Sequence, residues 1–190
     1  MRHDSEVVAV VGIVLAAGAG QRAGGPKALR RDEAGVPWLE LAVRRLSAVG
    51  CAQLLVVLGA EAERARRLVP AGAEVIVAAD WSTGVSASLR AGLTSAAADA
   101  ALVTLVDLPD EPARVGARLL AAAAPGRHSL ARAVYRGRPG HPVLLGRAHW
   151  PTVLADAQGD TGARDYLRAA GALEVECGDL ASGHDHDLRC

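Results

Sequence analysis

Lys27 is the only lysine in a chain that carries twenty arginines, and it closes a glycine-rich stretch that opens at Leu15. Between the two run Ala16-Ala17-Gly18-Ala19-Gly20-Gln21-Arg22-Ala23-Gly24-Gly25-Pro26. Glycines let backbone N–H groups approach and cradle phosphate oxygens, while Arg22 and Lys27 supply positive charge. A composition this averse to lysine suggests that position 27 needs a compact ammonium rather than a planar guanidinium. The chemistry on offer is the grip of a polyphosphate.

Three readings of the loop compete. A Walker A loop has Gly20 and Gly25 at the right spacing, but Pro26 stands where its lysine should be. A dinucleotide fold through Gly18, Gly20 and Gly24 wants an acidic residue at the end of a second strand roughly 20 residues on. That strand ends much later, near Leu58, and Pro26 interrupts any helix starting at the loop. A plain connecting turn is disfavoured by the density of Gly and Pro.

Other residues could share the work. Asp107-Leu108-Pro109 puts a carboxylate at the carboxyl end of an apolar strand, a poor core residue but a reasonable divalent-cation ligand beside phosphate oxygens. Asp110 and Glu111 beside it read as helix-capping residues. Trp81 to Gly92 spells a turn followed by a helix, with Ser82 or Thr83 available as its cap and Gly84 and Ser88 on its first turns. His141 stands between Gly140 and Pro142, fixed either as a structural histidine or as a substrate contact. Asp160, in Gly159-Asp160-Thr161-Gly162-Ala163-Arg164, can cap the helix that follows. The three cysteines, Cys51, Cys177 and Cys190, fit neither a disulfide framework nor a zinc site and read as buried or stray thiols.

The elements that must position these groups alternate. Val7–Leu15, Leu54–Leu58, Glu74–Ala78 and Ala101–Val106 read as buried strands. Helices are predicted over Pro37–Ala48, Ala60–Val69, Val85–Ser95, Pro112–Ala124, His149–Ala157 and Gly162–Ala170. Ser129–Tyr135 and Pro142–Leu145 form a strand pair around Arg136–Gly140, and Leu173–Cys177 a last short strand. The alternation implies a parallel sheet with right-handed crossovers, and the late pair implies one antiparallel strand. With no repeat and no linker, residues 1–190 read as one domain.

Bulk properties exclude some functions. The 21 basic and 21 acidic residues cancel, which argues against non-specific nucleic-acid binding. No apolar run reaches membrane-spanning length and the polar start resembles no signal peptide, so the expectation is a cytoplasmic protein without membrane contact.

The loop closely resembles the L-A-A-G-x-G-x-R-M-G-x-P-K signature of the MobA-like nucleotidyltransferases, with Ala23 in place of the Met. It stands nearest the branch that includes molybdenum-cofactor cytidylyltransferases. Trp81–Gly92 is similar to the family's W-x-x-G-x-x-x-S-L-x-x-G segment, Asp107-Leu108-Pro109 to its D-x-P, Arg138–Val143 to its G-x-P-x-H-P-V, and Gly159–Arg164 to its G-D-x-G-A-R. Asp185-His186-Asp187-Leu188 keeps only the two aspartates of its terminal D-x-D-T. The resemblance implies a three-layer α/β/α, Rossmann-like, mostly parallel sheet of the nucleotide-diphospho-sugar transferase type.

It also implies nucleotidyl transfer. Leu15, Ala16, Ala17, Gly18, Gly20, Arg22, Lys27, Gly84 and Ser88 would bind the nucleotide, and Lys27, Arg22 and Asp107 would be catalytic. Asp107 and Asp187 would hold Mg2+, and His141 and Asp160 would face the acceptor. The Ala16-Ala17-Gly18 version of the loop favours CTP over GTP, since a methyl at Ala17 narrows the space beside the base. The implied acceptor is molybdopterin or its molybdenum form, with a molybdenum hydroxylase as receiver of the product. Two rivals stand beside this reading: a sugar- or alditol-phosphate nucleotidyltransferase, and a non-catalytic protein that binds and delivers the cofactor.

Overall fold

The computed structural model describes residues 8–186. Its strands are β1 (Val10–Ala16), β2 (Gln53–Leu58), β3 (Glu74–Val77), β4 (Ala100–Leu105), β5 (Leu130–Tyr135), β6 (Arg138–Gly146) and β7 (Leu173–Glu176). Its helices are α1 (Trp38–Ala48), α2 (Ala62–Arg66), α3 (Val85–Ser95), α4 (Ala113–Ala123), α5 (Trp150–Asp156) and α6 (Arg164–Ala169). The strands form one sheet in the order β3-β2-β1-β4-β6-β5-β7. β6 runs antiparallel to both its neighbours, and every other pairing is parallel, as the alternation of elements predicts.

Period-two side-chain alternation divides the core between the two faces. On β1, Val10, Val14 and Ala16 face a layer of α1, α2 and α4, where Leu39, Leu46, Ala65 and Leu119 are buried. Val11, Ile13 and Leu15 face the opposite layer, packed with Leu89 and Leu93 of α3, Trp150 of α5 and Leu167 of α6. Both faces of the central strands are thus covered, which is why β1 reads as a continuous apolar run rather than an alternating one. The result is a three-layer α/β/α sandwich.

Two elements differ from those expected. The link expected over Arg136–Gly140 shrinks to two residues, Arg136 and Gly137, both at positive φ (53° and 74°), and Tyr135 pairs directly with Arg138. Such a turn matches strand twist, so Pro139 and Gly140 are absorbed into β6 beside a bulge in β5. The helix expected over Ala60–Val69 is only one and a half turns long, Ala62–Arg66. Cys51 and Cys177 are buried free thiols, and Cys190 lies outside the described residues. Among the described residues no helix is long and apolar enough to cross a membrane.

Candidate active site

Strand order reverses around β1, which has β2 on one side and β4 on the other. In an open α/β sheet the loops leaving such a pair diverge and leave a crevice at the carboxyl ends of the strands. Leu15 pairs with Leu105 in that register, so the glycine loop after β1 and the Asp107 loop after β4 leave the sheet side by side. The two segments are distant in sequence, but the topology makes them neighbours.

The glycine loop folds into two tight turns. Gly20 O accepts from Ala23 N (2.8 Å) and Gly25 N (3.0 Å), closing a turn at Gln21–Ala23, and a second turn follows over Lys27–Leu29. Gly20 sits at φ +58°, and a Cβ there would lie 2.0 Å from Gly25 O, so no other residue closes the turn. Arg22 lies in the first turn. The second turn places Lys27 so that its Nζ donates to Asp107 Oδ2 at 2.6 Å, with the side chains only 16% and 13% exposed.

Asp107 is held from below. Arg45, reaching up from α1, donates to the carbonyls of Leu108, Pro109 (3.1 Å) and Glu111 (3.3 Å), fastening the loop in place. Burial lowers the pKa of this guanidinium, against the opposing pull of Glu111. Burial also pushes the Glu111 carboxyl up to about 7. The Tyr135 hydroxyl lies 2.6 Å from His141 O and 3.0 Å from Glu111 Oε2. The one phenol proton faces two acceptors, and its bond to Glu111 works against the burial that raises the carboxyl pKa. Glu111 and Asp110 are therefore not the helix caps that the sequence suggests: α4 starts on Pro112 without a side-chain cap, and Asp110 accepts from His186 Nε2 at 2.6 Å.

That histidine belongs to the C-terminal segment. His186 N donates to Asp107 O (2.9 Å), and its ring meets the Trp38 ring edge-on at 5.7 Å. The segment carrying Asp185 thus returns to the Asp107 loop. Asp187 lies outside the described residues.

A cavity of about 560 Å³ opens between these loops. Leu15, Ala16, Ala17, Gly18, Gly20, Lys27, Gly84, Ser88, Asp107 and Asp160, all singled out from sequence, line it together. Trp81, Ser82 and Gln21, present in the same sequence motifs but given no site role of their own there, also line it. Trp81 stacks so closely on the end of β2 that a Cβ on Gly59 would lie 2.5 Å from its Cγ.

A second cavity, about 380 Å³, adjoins the first through Leu15, Val85, Leu105 and Asp160. His141 lines it, as do Arg132 and Arg164, two cations not singled out from sequence. Burial pushes the His141 pKa down to about 4, with Arg164 adding to the shift and Asp107 opposing it, so the imidazole is neutral near pH 7.

Asp160 corrects a sequence expectation. It does not cap α6, the helix that follows; its Oδ1 accepts from Val85 N (3.2 Å) at the start of α3. Gly159 O accepts from Ser86 N (3.0 Å) and Gly162 N donates to Ser86 Oγ (3.2 Å) in the same docking. Neither Ser82 nor Thr83 caps α3, and Thr83 Oγ1 bonds Asp80 O instead. Gly84, at φ +121°, makes the approach possible, because a Cβ there would lie 2.4 Å from Gly159 O.

Among the described residues no three or more His, Cys, Asp or Glu cluster as a metal site. Asp107 nonetheless offers a hard oxygen: its Oδ1 is buried and has no hydrogen-bond partner among the described residues. A buried carboxylate oxygen left this way suits a divalent cation, whose preferred ligands are carboxylates.

Comparison with known proteins places this geometry. The family profile described as MobA-like NTP transferase domain matches residues 12–175. A curated relative from Paenarthrobacter nicotinovorans, named nicotine blue oxidoreductase, is 35% identical over 198 residues, covering 97% of this chain and 95% of the relative. The crystal structure of Rv0371c from Mycobacterium tuberculosis H37Rv superposes with a TM-score of 0.79 at 26% identity, covering 95% of this chain and 93% of that one. A manganese complex of the same mycobacterial protein superposes with a TM-score of 0.73 at 24% identity, covering 89% and 88% of the two chains.

Proposed function

The chain belongs to the MobA-like NTP transferase domain family, and from that premise we propose that it transfers a nucleoside monophosphate from a triphosphate to a phosphorylated acceptor. The observation that carries this reading is the meeting of Lys27 and Asp107 at the mouth of the first cavity. In the proposed reaction an acceptor phosphate oxygen attacks the α-phosphorus in line, the bond to the β-phosphate oxygen breaks, and pyrophosphate leaves. Backbone N–H groups of the glycine loop cradle the phosphates, and Arg22 adds charge to them. Lys27 neutralises the α-phosphate as it becomes five-coordinate. Positioning and charge neutralisation account for catalysis of this kind, with little covalent work for the protein.

The residues present fit a divalent cation. Asp107 would hold it, with Asp187 as a second carboxylate, and Mg2+ is the expected ion. Bound there, it would draw charge from the phosphate oxygens of the leaving group. Asp107 also serves Lys27 directly, by fixing its ammonium at the cavity wall.

CTP is the favoured donor, because the Ala17 methyl narrows the space beside the base, and molybdopterin is the favoured acceptor in the second cavity. His141, neutral near pH 7, would offer that acceptor a hydrogen bond without competing for charge with Lys27. Pyrophosphate release with molybdopterin and each triphosphate in turn tests both choices. Release with CTP alone supports them, and equal release with GTP removes the base assignment.

A second reading rests on the 35% identity to a protein named as an oxidoreductase. In it the first cavity takes a nicotinamide dinucleotide, and a flat heterocycle in the second accepts hydride. Loss of absorbance at 340 nm from NADH or NADPH with a flat heterocyclic acceptor, and no pyrophosphate release under any condition, would favour it.

A further inference from the structure

The second cavity has an aliphatic floor and a polar rim. Leu89, Val103, Val143, Leu145 and Leu167 give it aliphatic surfaces on the face of the sheet under α3 and α6. A polyol taken out of water must find a partner for each hydroxyl, and an aliphatic wall provides none. A ring system with apolar faces loses little there.

Of the charged side chains described along this surface, Arg132 is the buried one. Arg132, on β5, is 9% exposed and lines the cavity. In register it lies between Val143 of β6 and Glu174 of β7. Glu174 Oε1 accepts from Arg132 Nε (3.2 Å) and also from Nη2, so the carboxylate holds one edge of the guanidinium. Nη1 lies on the edge that Glu174 does not hold. Burying a guanidinium is costly, and its carboxylate partner here is half exposed (49%), so Glu174 holds the cation from the solvent side. The other charged groups on the cavity are differently disposed. Asp160 is bound to Val85 N, Arg164 is exposed at the rim beside His141, and Asp185 belongs to the returning C-terminal segment.

We infer that Arg132 is a specificity-determining residue that selects, as occupant of the second cavity, a ring-shaped compound bearing an anionic group, with Glu174 as the positioning residue that aims its guanidinium. The inference rests on the reading of this cavity as the acceptor site, whichever group is transferred to the acceptor. Anion recognition by a fixed guanidinium edge is directional, so Lys cannot replace it fully.

Direct binding measured by calorimetry, without nucleotide or metal, tests this separately from turnover. The probes are naphthalene-2-carboxylate, its neutral carboxamide, and erythritol 4-phosphate. The carboxylate is expected to bind about tenfold or more tightly than the carboxamide, the scale of one charge-assisted hydrogen bond, and erythritol 4-phosphate more weakly than either. Arg132→Met should erase the preference for the carboxylate while retaining the carboxamide, Arg132→Lys should keep part of it, and Glu174→Gln should weaken it. Retained carboxamide binding shows that the Met variant is folded; if it is lost, the Lys and Gln variants decide. Equal binding of carboxylate and carboxamide to the natural protein, an undiminished preference in Arg132→Met, or tighter binding of erythritol 4-phosphate would each overturn the inference. Because no turnover is read, a failure of nucleotidyl transfer leaves these outcomes intact, and a lost preference in a protein that does transfer nucleotides condemns the inference alone.

Discussion

Lys27 and Asp107 stand 80 residues apart in sequence, yet the ammonium of one donates to the carboxylate of the other at 2.6 Å. The contact follows from the sheet. β1 and β4 are parallel neighbours, so the loops that leave their carboxyl ends must meet. It ties the glycine loop to the opposite wall of the cavity and aims a compact cation into it.

Lys27→Arg should therefore fail as a substitute. A guanidinium keeps the charge but spreads it over a broad planar fork that does not fit the space occupied by Nζ beside Asp107. Turnover is expected to fall on the order of 10²-fold, as on losing one donor aimed at developing charge. The CTP-induced thermal shift should fall only modestly. Unchanged turnover would reduce Lys27 to a general positive charge.

Asp107→Asn removes the carboxylate from both of its tasks. Lys27 loses the ionised partner recorded at its Nζ, and the buried Oδ1 position loses its negative charge. A stability loss of about 1–3 kcal/mol is expected in urea unfolding, together with loss of divalent-cation dependence in the pyrophosphate assay. Retained activation by Mg2+ or Mn2+ in this variant would move the cation elsewhere.

Gly84→Ala probes how the two cavities share a wall. Its added methyl would meet Gly159 O at 2.4 Å at a backbone φ of +121°, so the Gly159–Gly162 loop must lift from the start of α3. Asp160→Ala should be milder, removing one bond to Val85 N. Both act on one docking, so the double variant should lose less stability than the two single losses added together. Simple additivity in chemical denaturation would show that Gly84 and the Asp160 loop are independent.

Glu111 and His141 give stability opposite pH dependences. Burial raises Glu111 from its ordinary 4.5 to about 7, so the folded chain keeps a proton that the unfolded chain has released. Its contribution is complete below about pH 4.5 and is lost as pH rises to about 7. His141 is lowered from 6.5 to about 4, so its contribution is present above about 6.5 and lost as pH falls toward 4. Unfolding free energies of Glu111→Gln relative to the natural protein should rise between pH 4.5 and 7. Those of His141→Asn should rise as pH falls from 6.5 to 4. Flat difference curves would mean that neither group is shifted in the folded chain.

Much of this fold is legible in the sequence because its signals are local. The apolar run of β1, the Pro that precedes α1 and the two loops ending in Lys27 and Asp107 each depend on neighbouring residues. The first cavity could be read for the same reason: its lining comes from contiguous motifs. What could not be read depends on distant pairings. Asp160 looks like a cap for α6 because only its sequence neighbours are visible, whereas its partner is Val85. Arg132 is one arginine among twenty until β7 brings Glu174 beside it. Glu111 has the sequence position of a helix cap, and only the fold reveals that Tyr135 and Arg45 enclose it.

The central claim is that the bond broken lies between the α- and β-phosphates. Parallel incubations with CTP labelled at the α- or the γ-phosphate, a divalent cation and molybdopterin test it most directly. The account predicts α-label in the acceptor product and γ-label in pyrophosphate, both abolished by Asp107→Asn. Appearance of γ-label in the acceptor, or no transfer of either label by a protein that oxidises NADPH with a heterocyclic acceptor, would contradict it.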